Sequence, residues 1–219
     1  MAIGQFLGVA ALLTFFPLGV TASPHIATPL TNLTVSIFND VGEPERVLSG
    51  ARVRATFILA RAGISLTWID CGTHGNRSAD SGCSSISFPE HLSVRLVASP
   101  APAAEDTFGQ AFLDVSGEGS YANVYVGALR SSKATGFLRE GDLLGTLVVH
   151  EVGHLLLGPN SHGLDGLMSA RWQPMELHLA AKGLLTFTSE EAARLRSRYL
   201  SAIARNRLRV ELPRSQSGC

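Results

Sequence analysis

Two histidines and a glutamate stand together in the run His150-Glu151-Val152-Gly153-His154. Residues four apart on a helix lie one above the other on one face, so His150 and His154 can offer two imidazole nitrogens to one metal ion. Glu151 is turned about 100° from His150. From there a carboxylate can reach a water on that metal without being a ligand itself. Neutral imidazoles suit zinc, and a catalytic zinc keeps one position open. The ion brings the pKa of its water to about 7, and a nearby glutamate can then take the proton as general base. The H-E-x-x-H pattern therefore points to metal-assisted hydrolysis. The competing reading is a core helix that carries polar residues by accident. Residues 143–157 are apolar almost all round, so the helix must be buried. Buried together, two histidines and a glutamate need partners, and a metal supplies them.

A third ligand must come from beyond the helix. Gly158 followed by Pro159 is a stop signal, glycine for the left-handed residue past the last turn and proline because it cannot continue the helix. The chain then reverses and delivers His162. Asp165 is the competing third ligand, and Asn160 is a poor one. Glu176, the type of ligand used by the gluzincins, lacks their helical surroundings. Further on, Gly166-Leu167-Met168 reads as a tight turn ending in methionine.

A helix with H-E-x-x-H, a glycine that ends it, a third histidine and then a methionine turn resembles the metzincin zinc endopeptidases, closest in layout to the matrixins. The usual consensus is H-E-x-x-H-x-x-G-x-x-H. This chain reads H-E-x-x-H-x-x-x-G-x-x-x-H, with Asn160 where the third histidine would stand. The resemblance implies one catalytic zinc on His150, His154 and His162, with Glu151 as the catalytic base. Met168 becomes a packing floor under the metal, and the substrate a polypeptide. It also implies an α+β, zincin-like fold: a small mixed twisted sheet, an N-terminal backing helix, a central active-site helix, a Met-turn and a C-terminal helix.

The elements that must position these residues are readable in order. Thr34 to Phe38 alternates as a strand. Pro44 and Glu45 open a helix whose apolar positions run from Val47 to Ala62, and Gly63 ends it. Ile64 to Ile69 and Leu92 to Ala98 are further strands. Ala111 to Val115 and Asn123 to Gly127 read as two more, joined by a glycine-rich turn at Gly117 to Ser120. Asp142 is the expected N-cap of the central helix. By the resemblance, the segment from Gly119 to Val124 would be the edge that binds substrate backbone as an added strand, at the upper rim of a cleft. The alternative is an ordinary hairpin. Met175 to Gly183 suggests a short helix, with His178 as a surface residue. Thr188 and Glu191 form a capping box opening a last helix to about Arg207, with Ala192, Leu195, Tyr199, Leu200 and Ile203 inward. Phe-Thr-Ser-Glu-Glu followed by Leu-Arg-x-x-Tyr is similar to the closing helix of matrixins.

The formal net charge is zero, which gives no footing for nucleic acid or an anionic membrane surface. Residues 1–22 read as a signal peptide cleaved after Ala22, which leaves residues 23–219 as one zincin-like domain in a secreted or periplasmic protein. If uncleaved, that segment would be a membrane anchor. In an exported protein Cys71 and Cys83 read as a disulfide closing a short loop. A second zinc site with His74 is the competing reading. Cys219 is left over, either free or paired with another chain. Asn32 and Asn76 head glycosylation sequons. The function expected is an exported zinc metalloendopeptidase. The alternatives are a secreted zinc-binding interaction protein without turnover and a zinc hydrolase acting on a different amide, such as a cell-wall peptide.

Overall fold

Leu33, Val35 and Ile37 alternate with more polar neighbours, and so do Leu92, Val94 and Leu96; in the structure all six are buried on one face of a single sheet. The structure is a computed structural model, and it describes residues 31–73, 76–77, 81–98, 108–127 and 140–211. The strands are β1 (Thr31–Asn39), β2 (Ile64–Asp70), β5 (His91–Val97), β6 (Gly109–Phe112) and β7 (Tyr121–Tyr125), with a two-residue ladder β3 (Gly72–Thr73) and β4 (Asn76–Arg77) beside them. The helices are α1 (Glu45–Arg61), α2 (Glu140–Leu157), α3 (Pro174–Ala181) and α4 (Ser189–Glu211). The five-stranded sheet runs in the order β2-β1-β5-β7-β6. All pairs are parallel except β6 with β7. The result is an α+β arrangement with a mixed sheet, a backing helix, a central helix and a closing C-terminal helix.

The side chains facing the helices shrink toward the β6 edge. One row runs Ile37, Val94, Ala122, Ala111, and the next runs Leu96, Val124, Gly109. A large-to-small gradient lets α2 settle close to that edge. At the other side α2 crosses α1 through glycines. A β-carbon on Gly145 would lie 2.4 Å from the Ala51 carbonyl oxygen, and one on Gly141 would lie 2.9 Å from the Gly50 α-carbon. Arg54 of α1, buried beside this crossing, donates to the carbonyls of Gly183 and Leu185 and ties the α3–α4 connection to the helix pair.

Several expectations shift in detail. The β6–β7 hairpin sits two residues earlier than its apolar pattern suggests, because Asp114 makes a turn. Its Oδ1 accepts from the backbone N–H of Ser116 at 2.8 Å and of Glu118 at 3.1 Å. Val115, read as strand, is fully exposed at the turn. The edge strand is β6, not the segment from Gly119 to Val124, whose residues 121–124 lie inside the sheet between β5 and β6. Asp142 stands inside α2 rather than at its N-cap, since Glu140 and Gly141 before it are already helical. Leu200 is exposed; Glu191, Leu195, Tyr199, Ala202 and Ile203 make the inner stripe of α4. The capping box is present, with Thr188 N–H donating to Glu191 Oε2 at 2.8 Å and Glu191 N–H to Thr188 Oγ1 at 3.2 Å. Cys71 and Cys83 form a disulfide, which removes them as ligands of a second zinc site. His74, residues 1–22 and Cys219 lie outside the described residues. No helix among the described residues is long and apolar enough to cross a membrane.

Candidate metal centre

Helix α2 is buried along nearly its whole length, and His150 and His154 emerge one turn apart on the side facing an open cleft. Gly158 ends the helix with a left-handed φ of 75°, and its N–H still donates to the His154 carbonyl at 2.9 Å. A second left-handed residue, Asn160 with φ 54°, completes the reversal. Asparagine tolerates this region better than other side-chain-bearing residues. His162 then returns to the cleft. Ring centroids lie 4.7 Å apart for His150 and His154, 4.6 Å for His154 and His162, and 5.8 Å for His150 and His162. One nitrogen from each ring lies within 4.8 Å of the others, which makes a cluster able to hold a metal ion. Asp165 is exposed and outside this cluster. Glu176 is engaged elsewhere, accepting from the Gln173 N–H at 2.9 Å, and His178 is exposed on α3.

Each of the two helical imidazoles is oriented from behind. His150 Nδ1 donates to the Leu167 carbonyl at 2.7 Å, so its Nε2 carries a lone pair toward the cluster. The same carbonyl accepts Trp172 Nε1–H at 3.1 Å, and the Trp172 ring stands edge-on to His150 with centroids 5.8 Å apart. His154 Nδ1 is 2.6 Å from Ser161 Oγ. The Nε2 atoms of His150 and His154 stand 3.0 Å apart. Burial pushes the His150 imidazole down to about 4, against a raising effect of the Leu167 carbonyl and with a smaller lowering from His162. Burial, then the neighbouring His150 and His162, push His154 to about 3. Both are held neutral, the form in which imidazole is a ligand.

Below the histidines lies the turn that carries Leu167 and Met168. Gly166 takes φ 78°, and Gly163 N–H donates to the Met168 carbonyl at 2.8 Å, which closes the loop on itself. Met168 is fully buried, and a β-carbon on Gly153 would lie 2.5 Å from its Sδ. The glycine inside the His-Glu-x-Gly-His run thus makes room for the methionine under the helix. The carboxyl of Glu191 on α4 lies against Gly163 and Gly166, which brings the last helix onto this loop.

Glu151 sits beside the cluster on the same helix. It is 3% exposed, and its Oε2 has no hydrogen-bond partner among the described residues. Burial alone raises its carboxyl to about 8. Its carboxylate lies over Gly109, the first residue of β6. The cleft, about 430 Å³, runs between the outer edge of β6 and the 158–162 corner, with Phe108 and Trp172 along one wall. Gly109, Ser161 and Trp172 carry no motif that singles them out in the sequence. A serine in a loop or a glycine opening a strand gains meaning only from what stands against it.

Comparison with known proteins finds no matching family model and no matching curated protein. Among solved structures, the chain is similar to an archaemetzincin from Methanopyrus kandleri, with 15% identity over 80% of this chain and 97% of the other and a TM-score of 0.48. It is also similar to metalloproteinase-II from Bacteroides fragilis, with 15% identity over 80% of this chain and 55% of the other and a TM-score of 0.47.

Proposed function

We propose that the chain is an exported zinc metalloendopeptidase, with His150, His154 and His162 holding one zinc ion and Glu151 acting as general base. The observation that carries this reading is the meeting of three imidazoles, at an open cleft, with a buried carboxyl whose Oε2 has no hydrogen-bond partner among the described residues. The donor set fits the ion. Three neutral imidazoles are a known catalytic zinc set, and they leave a position open toward the cleft. Nitrogens sharing a tetrahedral zinc at bonds of about 2.0–2.1 Å stand roughly 3.3 Å apart; the two helical Nε2 atoms are already 3.0 Å apart.

Zinc bound there would supply Lewis acidity toward the scissile carbonyl and the attacking water. The rest is done by the chain. The Glu151 carboxyl, raised by burial, loses its proton readily once a dication stands beside it, because an opposite charge favours the ionised form. It then takes the proton of the attacking water and returns it to the leaving amine. Phe108 and Trp172 give the cleft one apolar wall beside the histidines. The outer edge of β6 lies beside the cleft, and an extended peptide can pair with it as an added strand. The Cys71–Cys83 disulfide suits an exported protein, since such bonds persist in oxidising compartments.

Metal analysis of the purified protein and cleavage of a mixture of denatured proteins test the proposal. One zinc per chain, loss of cleavage on chelation and its return with zinc are expected. Cleavage that survives complete zinc removal would overturn it.

A further inference from the structure

Ser161 is an unusual residue in its loop. Pro159, Asn160, His162, Leu164 and Asp165 are all exposed, yet Ser161 is 2% exposed. The two left-handed residues, Gly158 and Asn160, turn the chain so that this hydroxyl enters under the helix. There Ser161 Oγ stands 2.6 Å from His154 Nδ1.

The two helical histidines are thus held by different kinds of group. His150 faces a carbonyl, which can only accept, so its Nδ1 is always the donor. His154 faces a hydroxyl, which can accept or donate. With a metal held by Nε2, His154 Nδ1–H would donate to Ser161 Oγ. Without a metal, the hydroxyl can donate to Nδ1 instead, and Nε2–H then points at His150 Nε2, 3.0 Å away. That arrangement avoids two opposed lone pairs in a buried site.

We propose that Ser161 is a positioning residue for the metal. Its hydroxyl fixes the His154 ring with Nε2 turned to the cluster and lets the imidazole change tautomer as the ion enters or leaves. This rests on the zinc reading above. Groups behind a metal-bound histidine commonly contribute about 10–100-fold in metal affinity.

The experiment compares zinc affinity, by chelator competition at neutral pH, for wild type, Ser161→Ala and Ser36→Ala. Ser36 is the control: it is fully buried and bonded to His91 Nε2 at 2.7 Å, on strands away from the cleft. Ser161→Ala should weaken zinc by about 10–100-fold, and Ser36→Ala should leave it unchanged. In zinc-loaded wild type, the His154 Nδ1–H should give an exchange-protected imidazole proton signal in NMR. Equal affinity of wild type and Ser161→Ala overturns the proposal while leaving the zinc reading standing. Absence of the protected signal from loaded wild type overturns it without recourse to any variant. A wild type that binds no zinc overturns both.

Discussion

Gly109 and Glu151 are in direct contact across the interface between the sheet edge and the central helix: a β-carbon on Gly109 would lie 2.4 Å from Glu151 Oε1 and 2.5 Å from its Cδ. The strand residue and the proposed base therefore occupy their places jointly. Gly109→Ala must displace the carboxylate, because the strand is fixed by its pairing with β7. A displacement of about 1 Å at a reacting group can cost on the order of 100-fold in rate. Gly109→Ala should lower kcat/KM by roughly that factor while zinc content stays at the wild-type level. Unchanged kcat/KM would show that the contact does not set the position of the base.

Gly153 and Met168 make a second enforced fit, between the helix and the turn beneath it. Overpacking a core by one methyl typically costs about 1–3 kcal/mol, and Gly153→Ala should fall in that range by urea unfolding. The cost should shrink when Met168 is also replaced by alanine, because the Sδ atom 2.5 Å from the added carbon is then gone. Additive effects in the double variant would mean that the strain lies elsewhere.

The metal-free protein should have a pH dependence with two opposed parts. His150 and His154 are pushed down to about 4 and about 3, from an ordinary value of 6.5. Between those values and 6.5 the unfolded chain binds more protons, so stability falls as pH drops through that window. Glu151 is raised from 4.5 to about 8, so the native state binds the extra proton there and stability falls as pH rises from 4.5 toward 8. Glu151→Gln keeps the packing and cannot ionise. In chelator, the melting temperature of this variant minus that of wild type should therefore increase from pH 5 to pH 8. A flat difference would contradict the desolvation of the Glu151 carboxyl.

The Cys71–Cys83 bond closes a short loop between β2 and β5. Removing it by the paired substitutions Cys71→Ala and Cys83→Ala should cost about 2–3 kcal/mol, the loop-closure entropy for a ring of this size. Zinc content should not change, because neither cysteine belongs to the histidine cluster.

The parts of the site readable in advance are those where one element carries the information. His150 and His154 are legible because helical repeat alone puts them on one face. Thr188 and Glu191 are legible because a capping box is local. His162 could be singled out by its residue type beyond a helix stop, and the two left-handed residues at Gly158 and Asn160 explain how it returns to the cluster despite the longer spacing. The apolar Val115 extends the strand pattern past the true end of β6, whereas the Asp114 side chain closes a turn around it. The edge position of β6 is not legible in the sequence, because strand order is decided by pairing across the sheet and not by order in the chain. Gly109, Gly153 and Ser161 act through contacts with Glu151, Met168 and His154, and only the partner reveals why a small residue stands there.

Zinc content and proteolysis measured side by side in wild type and Glu151→Gln test the metal centre and its base most directly. One zinc per chain is expected in both, with cleavage of denatured protein by the wild type alone. A variant that keeps its zinc and still cleaves as the wild type does would contradict Glu151 as the base. A wild type that holds no zinc would contradict the metal centre itself.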